Sequence, residues 1–151
     1  MIHSPVIFLA ENRTSGVANG SNEVARWSGL HNFDAFTVLI NVTNAGGTTG
    51  TLTLFIQDSW DRGTTWDDVV SSTAITLGTT SGTQRYVVQG RIATSITQGS
   101  AVSELALAAG TTRQGPFGDR IRLVEKVSGA SGSPIGAIYT VTIIPCRSEN
   151  N

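Results

Sequence analysis

The chain has 151 residues, with 10 Lys+Arg against 11 Asp+Glu and a net charge of -1, a length that holds one domain with a sizeable core but not two ordinary ones. The near-neutral balance argues against a surface that tracks nucleic-acid phosphates, and no apolar run approaches the about 18 residues that a membrane-spanning helix needs. Charged residues are only 14% of the chain, while twenty threonines and 17 glycines stand in excess, a composition that suits pleated strands joined by tight turns.

Nine of the ten cations are arginines and Lys126 is the only lysine. Arginine suits bidentate pairing at interfaces and lysine suits solvation, so this bias points to a surface made for contact. The lone Cys146 excludes an internal disulfide and the cysteine-rich zinc modules, and reads as an inert thiol. No basic stretch precedes Val6-Ile7-Phe8-Leu9-Ala10, which runs into Glu11-Asn12-Arg13. The expectation is a chain without a signal peptide, made in a cytoplasm.

In chain order, residues 1–5 read as an N-terminal arm, 6–145 as a single β domain and 146–151 as a polar tail. Pro5 to Ala10 is a first strand and Arg13 to Asn22 a loop. Glu23 to Trp27 is a short strand, and Leu30 and Phe33 in the following connector are placed to cover one end of the core. Phe36 to Asn44 alternates Val38, Ile40 and Val42 against Thr37, Asn41 and Thr43, the period of a half-buried strand.

After a Gly/Thr turn, Leu52, Leu54 and Ile56 repeat that pattern, and the two strands are expected to pair as a hairpin. The pattern then breaks at Ser59-Trp60-Asp61-Arg62-Gly63-Thr64, and Thr65 to Val70 returns as a strand. Phe36 to Val70 is thus expected to form a three-stranded meander. Beyond it, Ala74 to Leu77 and Gln84 to Val88 read as strands, and residues 101–109 offer helix formers with a terminal Gly110, hence one possible short helix.

In Arg120 to Val127, Ile121 and Leu123 share a face, whereas Val124 and Val127 break strict alternation, which fits a bulge or burial on both faces. Tyr139, Val141 and Ile143 line one face of a last strand. About eight strands at this spacing predict an all-β fold, an antiparallel β-sandwich or jelly roll.

Signs of chemistry are sparse. His3 and His31 have no partner at metal-ligand spacing, and neither a nucleophile elbow nor a phosphate-binding glycine loop is present. No catalytic residue, no metal site and no cofactor is expected. The one constellation is Asp58, Asp61, Asp67 and Asp68 around Trp60 and Trp66, a set that can hold calcium or a sugar if the carboxylates converge. The plainer reading has Asp58 and Asp61 capping the turn, Trp66 in the core and Asp67-Asp68 in solvent. Arg120 and Arg122 share a strand face, where they can bind an anion or pair with acids on a neighbouring strand or another subunit.

The run Leu52-Thr53-Leu54-Phe55-Ile56-Gln57-Asp58-Ser59-Trp60-Asp61-Arg62-Gly63-Thr64-Thr65-Trp66-Asp67-Asp68-Val69, followed by Gly118-Asp119-Arg120-Ile121-Arg122-Leu123 and Tyr139 to Ile144, resembles small virion proteins of tailed bacteriophages. Their plan is an apolar strand, a Gln-x-Ser-x-Asp-Gly turn, a Trp-x-Asp return and a later Arg-x-Arg strand; Asp61-Arg62-Gly63 departs slightly from the usual Asp-Gly. The resemblance spans roughly residues 36–144 and is closest to head-decoration (cement) proteins of β-sandwich or jelly-roll fold. It implies a virion structural protein on the capsid surface, synthesised in the host cytoplasm and not an enzyme. Its partners would be the major capsid protein and itself, as a homotrimer, with no nucleic acid and no membrane. Two alternatives stay open: a tail, neck or fibre component, or a carbohydrate-binding β-sandwich using Trp60, Trp66 and the nearby aspartates.

Overall fold

The computed structural model describes residues 6–15, 19–29, 33–44, 49–78, 82–89, 106–115, 117–131 and 136–146. Among the described residues ten strands are present: β1 (Ile7–Thr14), β2 (Gly20–Ser28), β3 (Ala35–Asn44), β4 (Thr49–Ser59), β5 (Asp67–Ser71), β6 (Ile75–Thr76), β7 (Gly82–Gln89), β8 (Thr111–Thr112), β9 (Arg120–Ser131) and β10 (Ile138–Cys146). Eight are full strands and two, β6 and β8, are two-residue pieces. They form two antiparallel sheets with strand orders β1-β10-β3-β7 and β2-β9-β4-β5-β8, β6 also pairing with β4. The fold is an all-β sandwich.

Each sheet contributes alternate residues to the space between them, as period-two strands must. From the first sheet come Phe36, Val38 and Ile40 of β3 and Tyr139, Val141 and Ile143 of β10; from the second, Leu52, Leu54 and Ile56 of β4 and Ile121 and Leu123 of β9, all buried. Each such aliphatic side chain, fully buried, contributes about 1.5–3 kcal/mol. Phe117 closes one end, its ring centroid 4.7 Å from that of Phe36, and Phe33 is partly buried against the core as expected. Leu30, residues 1–5, His3 and His31 lie outside the described residues.

The expected meander is overturned. β3 pairs with β10 and β7 in one sheet, whereas β4 pairs with β9, β5 and β6 in the other. Only the β4–β5 hairpin survives from that expectation. Alternation fixes which face of a strand is buried but leaves its partner open, and a Gly/Thr linker serves a crossing between sheets as readily as a tight turn. The short helix is also absent among the described residues: Ala106 to Ala108 are irregular and Ala109-Gly110 form a turn, while 101–105 lie outside them.

β9 carries no bulge against β4 along Thr51 to Ser59. Its inward residues are Ile121, Leu123, Glu125 and Val127, so the apparent break in alternation is a buried glutamate. Along the far edge of β4 the partner changes from β5 to β6, and Ser72 fills the step: its N–H donates to Leu54 O and its Oγ accepts from Leu54 N, both 2.9 Å. At the outer rims, β1 shifts register on either side of Ala10, the second shift spanning Asn12, whose φ is 44°, and β2 shifts between Glu23 and Ala25. Such irregular edges resist pairing with another sheet.

Candidate functional site

The β4–β5 tip is built by one carboxylate. Asp61 accepts from Ser59 Oγ at 2.8 Å, Thr64 N at 3.0 Å, Thr65 N at 2.8 Å and Thr65 Oγ1 at 2.8 Å, an Asx-type turn with every acceptor position used. The Thr65 N–H, followed by the two hydroxyls, holds its pKa down at about 2. Ser59 Oγ in turn accepts from Gly63 N at 2.7 Å. The chain turns back through left-handed Arg62 and Gly63, with φ of 62° and 98°. Trp60 stands on this braced loop with 58% of its surface exposed.

Trp66 goes elsewhere than expected. It is 3% exposed, yet it does not belong to the core between the sheets. It lies on the outer face of the second sheet beneath two guanidinium groups, Arg122 at 4.3 Å and Arg26 at 5.4 Å from the ring centroid. Its Nε1–H donates to Gly63 O at 3.1 Å, which ties the ring to the tip. Arg122 is fixed further by Gln57 Oε1 at 2.7 Å and Glu23 at 3.4 Å, and Arg26 pairs with Glu23 as well. The expected pairing of this arginine with an acid on a neighbouring strand therefore holds for Arg122. Arg120, on the same face, is exposed at the mouth of a cavity of about 230 Å³ shared with Arg26, Trp27 and Ser28.

The four aspartates do not converge. Asp58 is fully buried at the inner end of β4 and does not cap the turn; one of its oxygens accepts from Arg113 and from Gly118 N at 2.8 Å, while Oδ1 has no partner. Burial pushes its pKa up, against the pull of the Gly118 N–H and Arg113. Asp67 faces the same Arg113 at 3.8 Å. Asp68 is buried, not solvated, and takes bonds from Gln57 Nε2 at 2.7 Å and Leu107 N at 2.9 Å. Among the described residues no group of three or more His, Cys, Asp or Glu side chains is placed to hold a metal.

A second polar centre crosses the interior. Glu125, 1% exposed, accepts from Tyr139 OH at 2.7 Å, Arg13 Nη2 at 3.2 Å and Asn22 Nδ2 at 3.2 Å. These partners sit on β10, β1 and β2, so one carboxylate ties both sheets together. Burial alone would raise its pKa, but the bonds from Arg13, Tyr139 and Asn22 outweigh it and lower the value. Burial and the neighbouring carboxylate raise the Tyr139 phenol. Parity from Leu123 to Val127 carried the signal for Glu125, whereas nothing in the sequence pointed to Arg113.

The two outer faces differ in chemistry. On the first sheet the outward residues of β10, β3 and β7 are Ile138, Thr140, Thr142, Ile144, Ala35, Thr37, Leu39, Asn41, Thr43, Thr83, Arg85 and Val87, with Arg85 the one charge among them. Phe8 continues this face opposite Thr142, 58% exposed, and Val87 is 46% exposed. The outer face of the second sheet carries Glu23, Arg26, Arg120, Arg122 and Lys126. Comparison of the chain with protein-family models, curated proteins and solved structures returned no match in any of the three.

Proposed function

We propose that this is a bacteriophage virion structural protein that decorates the outer surface of the expanded head and strengthens it. The observation that carries the reading is the outer face formed by β10, β3 and β7, an almost uncharged surface of threonine and aliphatic side chains with Val87, and Phe8 of the adjoining β1, standing out. Exposed apolar surface of this kind fits burial against another protein, here the capsid protein or sister copies in a homotrimer.

The strand order supports the same reading at the level of fold. One sheet runs β1-β10-β3-β7 and the other begins β2-β9-β4-β5; apart from the consecutive β4, β5 and β6, which share a sheet, successive full strands alternate between sheets, an order compatible with a jelly roll. That fold serves viral capsid and lectin domains among others, and the step from fold to role is analogy. The mechanism is mass action: a protein that binds the expanded lattice and not its precursor stabilises the expanded state. The direct test mixes purified protein with expanded, undecorated heads and counts copies retained after sedimentation. Saturation at a fixed number per lattice site supports the reading, and no retention refutes it.

Trp60 favours a second reading, a carbohydrate-binding sandwich, because an exposed indole stacks on sugar rings. Its neighbours weaken that case. Asp58 and Asp68 are buried, Asp61 is consumed by the turn and Asp67 faces Arg113, so none of the four hairpin aspartates is set beside Trp60 to accept sugar hydroxyls. Quenching or blue-shift of Trp60 fluorescence by host surface glycans, lost in Trp60→Ala, would establish it.

A further inference from the structure

The β4–β5 tip combines three features that a plain connecting turn does not need. It exposes a tryptophan, it is braced so that this side chain is presented on a fixed frame, and it places cations around it. Trp60 is 58% exposed, although a loop held by four bonds to Asp61 and one to Ser59 Oγ could close over a serine or glycine equally well. Arg62 occupies a left-handed position, φ 62°, where glycine costs less. Arg120 begins β9 directly opposite Ser59, the residue before Trp60.

Four of the chain's ten cationic residues, Arg26, Arg62, Arg120 and Arg122, gather at this end. Of the acids there, Glu23 is taken up by Arg26 and Arg122 and Asp61 by the turn, which leaves Asp119 beside Arg120. Among the described residues neither Arg62 nor Arg120 takes part in an ion pair. Tryptophan and arginine are the side chains most enriched at the energetic centres of interfaces. A second copy of the tip would bring arginines against arginines, so charge favours an acidic partner over a like one.

We propose that this tip is a preorganised docking peg: Trp60 enters an apolar cleft on the capsid protein, and Arg62 and Arg120 meet carboxylates on the rim of that cleft. The assignment rests on the virion reading and names its contact. A braced loop loses little conformational freedom on docking, so affinity is gained by lowering the cost of ordering. The near-uncharged sheet face is a separate surface, reached by different substitutions.

The test measures half-saturation of expanded, undecorated heads by wild type and by Trp60→Ala, Arg62→Glu, Arg120→Glu and Arg62→Gly, each with its melting temperature. Trp60→Ala is expected to raise half-saturation at least about tenfold with its melting temperature unchanged. The two charge reversals weaken binding and flatten its salt dependence. Arg62→Gly separates fold from contact, since its melting temperature rises while its binding falls. Wild-type retention together with undiminished retention of Trp60→Ala overturns the peg and leaves the virion reading standing. Absence of wild-type retention overturns both, and glycan-dependent quenching of Trp60 would then reassign the tip.

Discussion

The guanidinium of Arg122 lies 4.3 Å from the centre of the Trp66 ring and covers, together with Arg26, an indole that stands outside the core. The cation and the ring supply a lid for the outer face of the second sheet, and the same arginine bonds Gln57 of β4 and Glu23 of β2. Three strands are joined across one side chain.

Arg122→Ala removes the lid, the Gln57 bond and half of the Glu23 pairing at once. Cation–π contact, lost packing and the hydrogen bond together give an expected destabilisation of about 1–2 kcal/mol. Arg122→Lys restores less than half, because an ammonium cannot stack and bond in one plane. Urea denaturation measures the loss, and a red shift of Trp66 emission reports the uncovered ring.

Glu125 and Tyr139 join the two sheets through a 2.7 Å bond in the interior. Tyr139→Phe deletes one donor to the buried carboxylate and should cost about 1–1.5 kcal/mol. Arg13→Met leaves a buried carboxylate short of its charge partner; that arginine is 34% exposed, so water softens the effect and about 2 kcal/mol is expected in place of a larger buried-pair penalty. Glu125 is held below the ordinary carboxylate range. Its contribution is present above its unfolded pKa and is lost as pH falls through the lowered value.

Asp61 and Asp58 give opposite pH signatures. For Asp61, with its pKa lowered from 3.8 to about 2, stabilisation is complete above the unfolded value and disappears as pH falls through about 2. The stability gap between wild type and Asp61→Asn should therefore close across that window. The folded pKa of Asp58 is raised, chiefly by burial, so its contribution is fullest below the unfolded value and is lost as pH rises through the raised one. Wild type should gain on Asp58→Asn as the solution is acidified. Denaturation midpoints of the three proteins measured across acid pH check both signs.

Gly118 passes so close to β4 that a Cβ there would sit 2.2 Å from the Ser59 carbonyl oxygen, a backbone atom. Gly136 stands in the same relation to Ser15, at 2.3 Å. Neither carbonyl can swing aside without breaking its strand end. Gly118→Ala or Gly136→Ala should each destabilise by about 2–4 kcal/mol, whereas Gly82→Ala, with open space around it, pays only for its φ of 124°. Thermal melts of the three variants rank the effects.

Much of the sandwich was legible in the sequence because alternation is a local signal. Val38, Ile40 and Val42, the Leu52 to Ile56 series and Tyr139, Val141 and Ile143 all face inward as read. Pairing is not local, and the β3–β4 connection was misassigned for that reason. At the tip, Asp61 caps the turn as its place before Gly63 suggests. Asp58 and Asp68 were misplaced because their partners, Arg113 and Leu107, come from a stretch without periodic pattern. A buried tryptophan was assumed to mean core, and Trp66 is instead buried under arginines, which a residue count cannot foresee.

Heat resistance of expanded heads, followed as protein is titrated in, tests the central claim most directly. A decoration protein raises the disruption temperature of the heads until its sites fill and then no further, and Phe8→Ser/Val87→Ser, altered on the uncharged face, should fail to do so while remaining folded. A disruption temperature that does not move at saturating protein would contradict the account.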